Sequence, residues 1–302
     1  MERKMFLATA GAAAGLAAIG VRRGRAAESD ADERKLGKTN LKIALQPSMF
    51  KLPIIEAIDK IAYYGFPAVE SLSASGDLDA IRKKLDETGV VWSCIGGMGS
   101  IGSPKEWQKG LGLSSEEEHD QVEKRFRERC DQAKRLNIKR VLCLTGQKRQ
   151  DMAADKQTEI IVKGLKRLGP IAQENGVTIV LEILNTLINH AGYFLVYSPQ
   201  GAEIIQTVNH PNVKMLYDIY HQQISEGNLC NNIKKYIACI GHFHIGDNPG
   251  RQYPGTGEIN YKNVFRAVSE TKYDGYLAME CGYGGKSALE IMKIMHDLTT
   301  FE

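Results

Sequence analysis

Beyond residue 40, the apolar positions fall into two alternating kinds of segment. Short continuous runs rich in Val, Ile and Leu occupy 42–46 (KIALQ), 67–72 (PAVESL), 90–95 (VVWSCI) and 139–144 (KRVLCL). Four more follow at 177–183 (VTIVLEI), 213–219 (VKMLYDI), 239–245 (CIGHFHI) and 275–281 (GYLAMEC). Runs of this length and composition read as strands buried on both faces, the state of a parallel sheet covered by helices. Between them lie longer stretches such as PIIEAIDKIAYYG and QTEIIVKGLKRLGPIAQENG. Their apolar residues recur at three and four positions, which is one face of a helix. Gly or Asn often follows, as a helix end requires.

Eight strand-then-helix units over roughly 260 residues predict an α/β fold of one domain, a (β/α)8 TIM barrel spanning 41–302. A doubly wound open sheet would use the same units. It calls for a G-x-G-x-x-G turn after the first strand, and none is present. GGMGSIGSP, 96–104, is too loose for a phosphate loop and reads as a long active-site loop.

In such a barrel the chemistry sits at the C-terminal ends of the strands. Glu182 ends the fifth run, Asp218 the sixth, His244 the seventh and Glu280 the eighth, at spacings of 36, 26 and 36 residues. Consecutive strands therefore aim three carboxylates and an imidazole at one point. Such charges are costly to bury unless they share a cation. The donor set suits Mn²⁺, Mg²⁺ or Co²⁺ better than a closed structural zinc site. His221, three residues past Asp218, and Arg251, seven past His244, are candidate substrate contacts. An arginine fork suits a carboxylate or oxyanion. His242 shares a strand face with His244 but lies deeper, as a barrel-layer residue or a support for a ligand. Glu70 ends the second run and reads equally as a structural carboxylate or as a substrate contact from across the barrel. His119, His190, His210 and His296 carry no special signal.

Charge changes the picture at one end. Residues 1–26 hold five basic side chains against Glu2, so they carry +4 of the net +3 and leave the rest at −1. The barrel region therefore has no basic excess to recruit nucleic acid. The order of the first 26 residues is basic, then Ala- and Gly-rich apolar, then small at Gly24 and Ala26, which is that of a cleaved export signal. Its ERKMFL start is similar to a twin-arginine signal, with Arg3-Lys4 in place of the arginine pair. Export, with the periplasm as destination, a linker over 27–40 and no stable membrane insertion after processing are expected; an unused signal would leave the protein in the cytoplasm. The six cysteines are scattered without a CxxC and read mostly as buried thiols.

YDIYHQQISEGNL, PGRQYPGTGEINY, LEILN and MECGY resemble the hydroxypyruvate isomerase family. That family lies within the xylose isomerase-like TIM barrels, which also hold ketose 3-epimerases. The likeness covers about residues 40–285 and is densest over 180–281. It implies a divalent metal held by Glu182, Asp218, His244 and Glu280, with substrate at His221 and Arg251. Hydroxypyruvate isomerases often have Gln where this chain has His244, whereas the epimerases usually have His. The expected activity is isomerisation of a small hydroxy-carbonyl compound, with hydroxypyruvate to tartronate semialdehyde as the reference reaction. Glu182 and Glu280 would move protons through a cis-enediolate. A 3-epimerase is the alternative. A multi-zinc nuclease would need more histidines and a basic face. An exported sugar-binding protein that had lost catalysis would be marked by loss of a glutamate, and both are present. The expected partners are a small-molecule substrate and a second copy of the chain in a homo-oligomer.

Overall fold

The computed structural model describes residues 35–98 and 112–302. The strands are β1 (Lys42–Leu45), β2 (Ala68–Val69), β3 (Val91–Trp92), β4 (Ile95–Met98), β5 (Arg140–Cys143), β6 (Thr178–Glu182), β7 (Val213–Asp218), β8 (Ile240–Ile245) and β9 (Tyr276–Met279). All pairings between them are parallel, in the order β3-β2-β1-β9-β8-β7-β6-β5-β4. The two ends of this sheet, β3 and β4, are halves of one apolar run. The sheet thus comes round to a nearly closed barrel. Among the described residues, nine strands stand where the pattern predicts eight because the third run breaks at Ser93–Cys94. Ser93 N–H donates to Val69 O in β2, whereas Ile95 and Met98 register with β5 through an irregularity. Gly96 and Gly97, expected in a loop, belong to β4. Gly97 has φ +99, and a Cβ there would meet the Arg129 guanidinium at 2.8 Å. The rest of the Gly-rich stretch, residues 99–104, lies outside the described residues.

The helices are α1 (Ile54–Tyr63), α2 (Leu78–Thr88), α3 (His119–Leu136), α4 (Ala154–Glu174), α5 (Ser198–Val208), α6 (Ile219–Ser225), α7 (Leu229–Tyr236), α8 (Tyr261–Glu270) and α9 (Ala288–Thr299). Their buried stripes, Ile161, Leu165 and Leu168 in α4 among them, pack onto the strands in one core. Asp77 caps α2 by accepting from the Asp79 and Ala80 N–H groups, and Gly89 ends it at φ 72. The single helix expected between the sixth and seventh runs is two short ones. Gly227 and Asn228, both at positive φ, stop α6 and start α7.

The expected export signal and the linker through residue 34 lie outside the described residues. Leu36 already packs against the core, and Asn40 N–H donates to Thr299 O at 2.8 Å. Among the described residues, no helix is long and apolar enough to cross a membrane. Cys94, Cys130, Cys143 and Cys239 are buried free thiols, and Cys230 and Cys281 are half-buried.

Candidate active site

Four neighbouring strands deliver the central side chains. Glu182 and Asp218 are the last residues of β6 and β7, His244 lies one residue before the end of β8, and Glu280 follows β9 directly. One potential ligand atom from each lies within 4.8 Å of the others. Their backbones are held in register, with Asp218 beside His244 and the Glu280 N–H on Ile245 O at 3.0 Å. The spacing of the runs therefore reads correctly as convergence.

Asp218 serves two structures at once. Its Oδ1 accepts from the N–H groups of Tyr220 (2.8 Å) and His221 (3.2 Å), so it caps α6. Its Oδ2 is 3.0 Å from Arg251 Nη2, which also reaches Glu280 Oε2 at 2.7 Å. His244 Nδ1 faces Glu280 Oε2 at 2.8 Å and Glu182 Oε1 at 3.2 Å. Its other nitrogen, Nε2, lies 2.9 Å from Glu70 Oε1.

This arrangement fits a cation. Three carboxylates within 4.8 Å of one another repel. At an effective dielectric near 20, each pair at that spacing costs about 3.5 kcal/mol, and one guanidinium offsets only part. Glu182 Oε1, His244 Nδ1, His221 Nε2 and Arg251 Nε are buried without a hydrogen-bond partner. His244 Nδ1 faces two carboxylate oxygens, an alignment that a proton or a cation between them would relieve. Oxygen-rich donors with one imidazole suit a hard or borderline divalent ion.

The electrostatics separate the two glutamates. Burial, with Glu280 and Asp218 adding to it, pushes the Glu182 carboxyl up to about 7. Burial works the same way on Glu280, but the His244 and Arg251 charges outweigh it and hold that carboxyl well below the usual range.

Around this centre, His221 is fully buried, and burial holds its imidazole down to about 4. It is therefore neutral. Its Nδ1 meets Asn185 Nδ2 at 2.5 Å and accepts, which leaves Nε2–H pointing 3.5 Å from Asp218 Oδ2. Arg251 stacks on Tyr220, 5.0 Å from the ring centroid. Both candidate substrate contacts thus reach the cluster. Glu70 does not stand open to a substrate. His244, His242 (2.8 Å) and Ser93 take both of its oxygens, and it is 4% exposed. Burial opposes its charge, but His242 and His244 prevail and hold it down at about 2. His242 lies a layer below His244, as its place on the strand face implies.

Other residues escape pattern reading. Asn185 orients His221, and Tyr193 Oη donates to Glu182 O at 3.0 Å while accepting from Thr145 N–H at 2.9 Å. Asp247 stands in the GHFHIGDNPGR stretch between His244 and Arg251 but does not join the cluster. Its carboxylate accepts from the N–H groups of Asn248, Gly255, Thr256 and Ile259 at 2.7 to 3.2 Å. It thereby closes the 247–259 loop that carries Arg251. Arg251 sits at φ 50, with its carbonyl held by Gly282 N–H at 2.8 Å. A loop aspartate followed by Pro and Gly was the available signal for this turn.

The sequence profile described as "Xylose isomerase-like TIM barrel" matches residues 58–297. A hydroxypyruvate isomerase homologue of Danio rerio is 32% identical over 229 residues, 72% of this chain and 79% of its own. The hydroxypyruvate isomerase of Escherichia coli (strain K12) is 32% identical over 148 residues, which span 49% of this chain and 57% of that enzyme. In fold, a D-psicose 3-epimerase crystallised in the presence of D-fructose superposes with a TM-score of 0.69 at 20% identity, covering 85% of this chain and 96% of that one. With its ordered barrel and the acidic cluster at the strand ends, this chain belongs to the hydroxypyruvate isomerase family of xylose isomerase-like TIM barrels.

Proposed function

We propose that the protein is a metal-dependent isomerase of a small hydroxy-carbonyl acid, with hydroxypyruvate to tartronate semialdehyde as its reference reaction. The observation that carries this is the cluster of Glu182, Asp218, His244 and Glu280, with unpartnered buried atoms converging on one point. These four would hold one divalent cation, which on binding supplies Lewis-acid polarisation of the carbonyl and stabilises charge on the neighbouring oxygens. Glu182 and Glu280 lie 3.2 and 2.8 Å from His244 Nδ1. One of the two glutamates would take the proton α to the carbonyl. The other glutamate would return a proton to the adjacent carbon of the enediolate. His221 donates Nε2–H to a substrate oxygen, and Arg251 receives the carboxylate. Glu70 is reassigned from substrate contact to support of His244.

The imidazole at position 244 favours a second reading, a ketose 3-epimerase in which both glutamates act at one carbon. A panel of Mn²⁺-loaded protein with hydroxypyruvate, tartronate semialdehyde and D-fructose separates the two. The isomerase reading expects kcat/KM for hydroxypyruvate to exceed that for the ketohexose by at least ~10²-fold, the scale set by a matched charged contact. Epimerisation of D-fructose with no turnover of hydroxypyruvate would replace it. The proposed setting is export to the periplasm after loss of residues 1–26, with the barrel acting as a homo-oligomer.

A further inference from the structure

Glu70 presents a problem of its own. It is a charged carboxylate buried in the barrel, outside the four-residue cluster. Burying such a group without partners costs several kcal/mol. Its two histidine partners come from β8, which is not a neighbour of β2 in the sheet, and Ser93 comes from beside the adjacent β3. His244 Nε2 lies 2.9 Å from Oε1, His242 Nε2 2.8 Å from Oε2, and Ser93 Oγ donates to Oε2 as well. Ser93, His242 and His244 are at most 1% exposed. A carboxylate only accepts, so each partner must bring a proton. A neutral imidazole carries one N–H. When that proton sits on Nε2 of His244, the lone pair is on Nδ1, and Nδ1 is the atom that faces Glu182 and Glu280.

We propose that Glu70 is a positioning residue for the cation site: it fixes His244 as the Nε2–H tautomer and turns Nδ1 to the ion, while His242 and Ser93 hold Glu70 itself in place. This rests on the cation site proposed above. A carboxylate behind a ligating histidine raises the ligand's basicity and locks its ring. Glu70, His242 and His244 also have ligand atoms within 4.8 Å of one another, the spacing of a second metal site. The donor pattern argues against it. Both Glu70 oxygens already have hydrogen-bond donors at ordinary contact distances.

The test uses the full-length protein, its Glu70→Met, Glu70→Gln and Ser93→Ala variants, and two probes. Mn²⁺ binding is measured by titration calorimetry. The His244 tautomer is read by long-range ¹H–¹⁵N NMR on histidine-labelled, Zn²⁺-loaded protein. Wild type is expected to take up one equivalent of Mn²⁺ and to show His244 bound through Nδ1 with Nε2 protonated. Glu70→Met should bind Mn²⁺ about 10- to 100-fold more weakly, the usual effect of losing such a partner. Glu70→Gln keeps an acceptor but loses the charge. It and Ser93→Ala should weaken binding less, in the same direction. Thermal melts identify any variant that fails to fold, and if Glu70→Met does, Glu70→Gln decides. Folded Glu70 variants binding Mn²⁺ as wild type does would overturn the proposal. So would coordination of His244 through Nε2, or a second equivalent of Mn²⁺ that only Glu70→Met loses. Wild type that takes up neither metal would instead overturn the cation site itself.

Discussion

Four side chains at the strand ends carry opposed demands. Asp218 must cap α6 with one oxygen and face the cluster with the other, so Asp218→Asn keeps the cap acceptor and removes a charge. Metal content and activity should fall together in that variant, which elemental analysis beside an assay will read. Glu182→Gln and Glu280→Gln each keep shape and a ligand oxygen but remove a proton carrier. Each should lower kcat by at least ~10²-fold, and metal content measured beside the assay separates lost proton transfer from lost ligation. In D₂O, wild-type turnover should place solvent deuterium on the carbon that receives the proton. Product without it, from substrate whose α-deuterium is found on the neighbouring carbon, would point to a direct hydride shift instead. Arg251 contacts two carboxylates through one nitrogen, and its fork is suited to a substrate carboxylate. Arg251→Lys keeps the charge and loses the fork, so KM for hydroxypyruvate should rise, and Arg251→Ala should raise it further.

The loop of residues 247–259 works as a unit, and its geometry comes from Asp247 rather than from Arg251. Four backbone N–H groups converge on that one carboxylate. Asp247→Ala leaves them without an acceptor and frees the segment that sets Arg251. Gly257 tests the same element from the opposite side. A Cβ there would lie 2.2 Å from Asn248 O, a backbone atom that cannot swing aside as a side chain can. Both Gly257→Ala and Asp247→Ala should lower kcat/KM by about 10²-fold, the scale of a 1 Å misplacement. The loop touches the core through Tyr253 and Ile259 while most of the core lies outside it, so the melting transition should stay cooperative. The α2 helix offers a contrast. Asp77→Ala removes its N-cap and should cost about 1 kcal/mol of stability with no kinetic effect.

At the scale of the whole molecule, residues 35–302 hold the core and the site in one compact unit. A chain starting at Lys35 should therefore melt and bind Mn²⁺ as the full-length protein does, measured by calorimetry on both. If residues 1–26 direct export, native protein will begin near Ala27 on N-terminal sequencing. The barrel was legible in the apolar pattern because strands buried on both faces leave continuous runs, and seven of the eight runs formed one strand each. The third did not. Its break at Ser93–Cys94 depends on how β2 and β5 pair on its two sides, which no local pattern encodes. Glu182, Asp218, His244 and Glu280 were legible because parallel strands of a barrel end on one face, so position along the chain translates directly into position in space. What supports them was not. Glu70 meets His244 across 174 positions, and Asn185 meets His221 across 36. Nothing in the spacing distinguishes a carboxylate that receives a substrate from one that holds a histidine. Sequence alone determined which residues gather at the mouth of the barrel. Tertiary structure decided which of them face the centre and which stand behind, because a hydrogen bond's direction depends on packing between strands far apart in the chain.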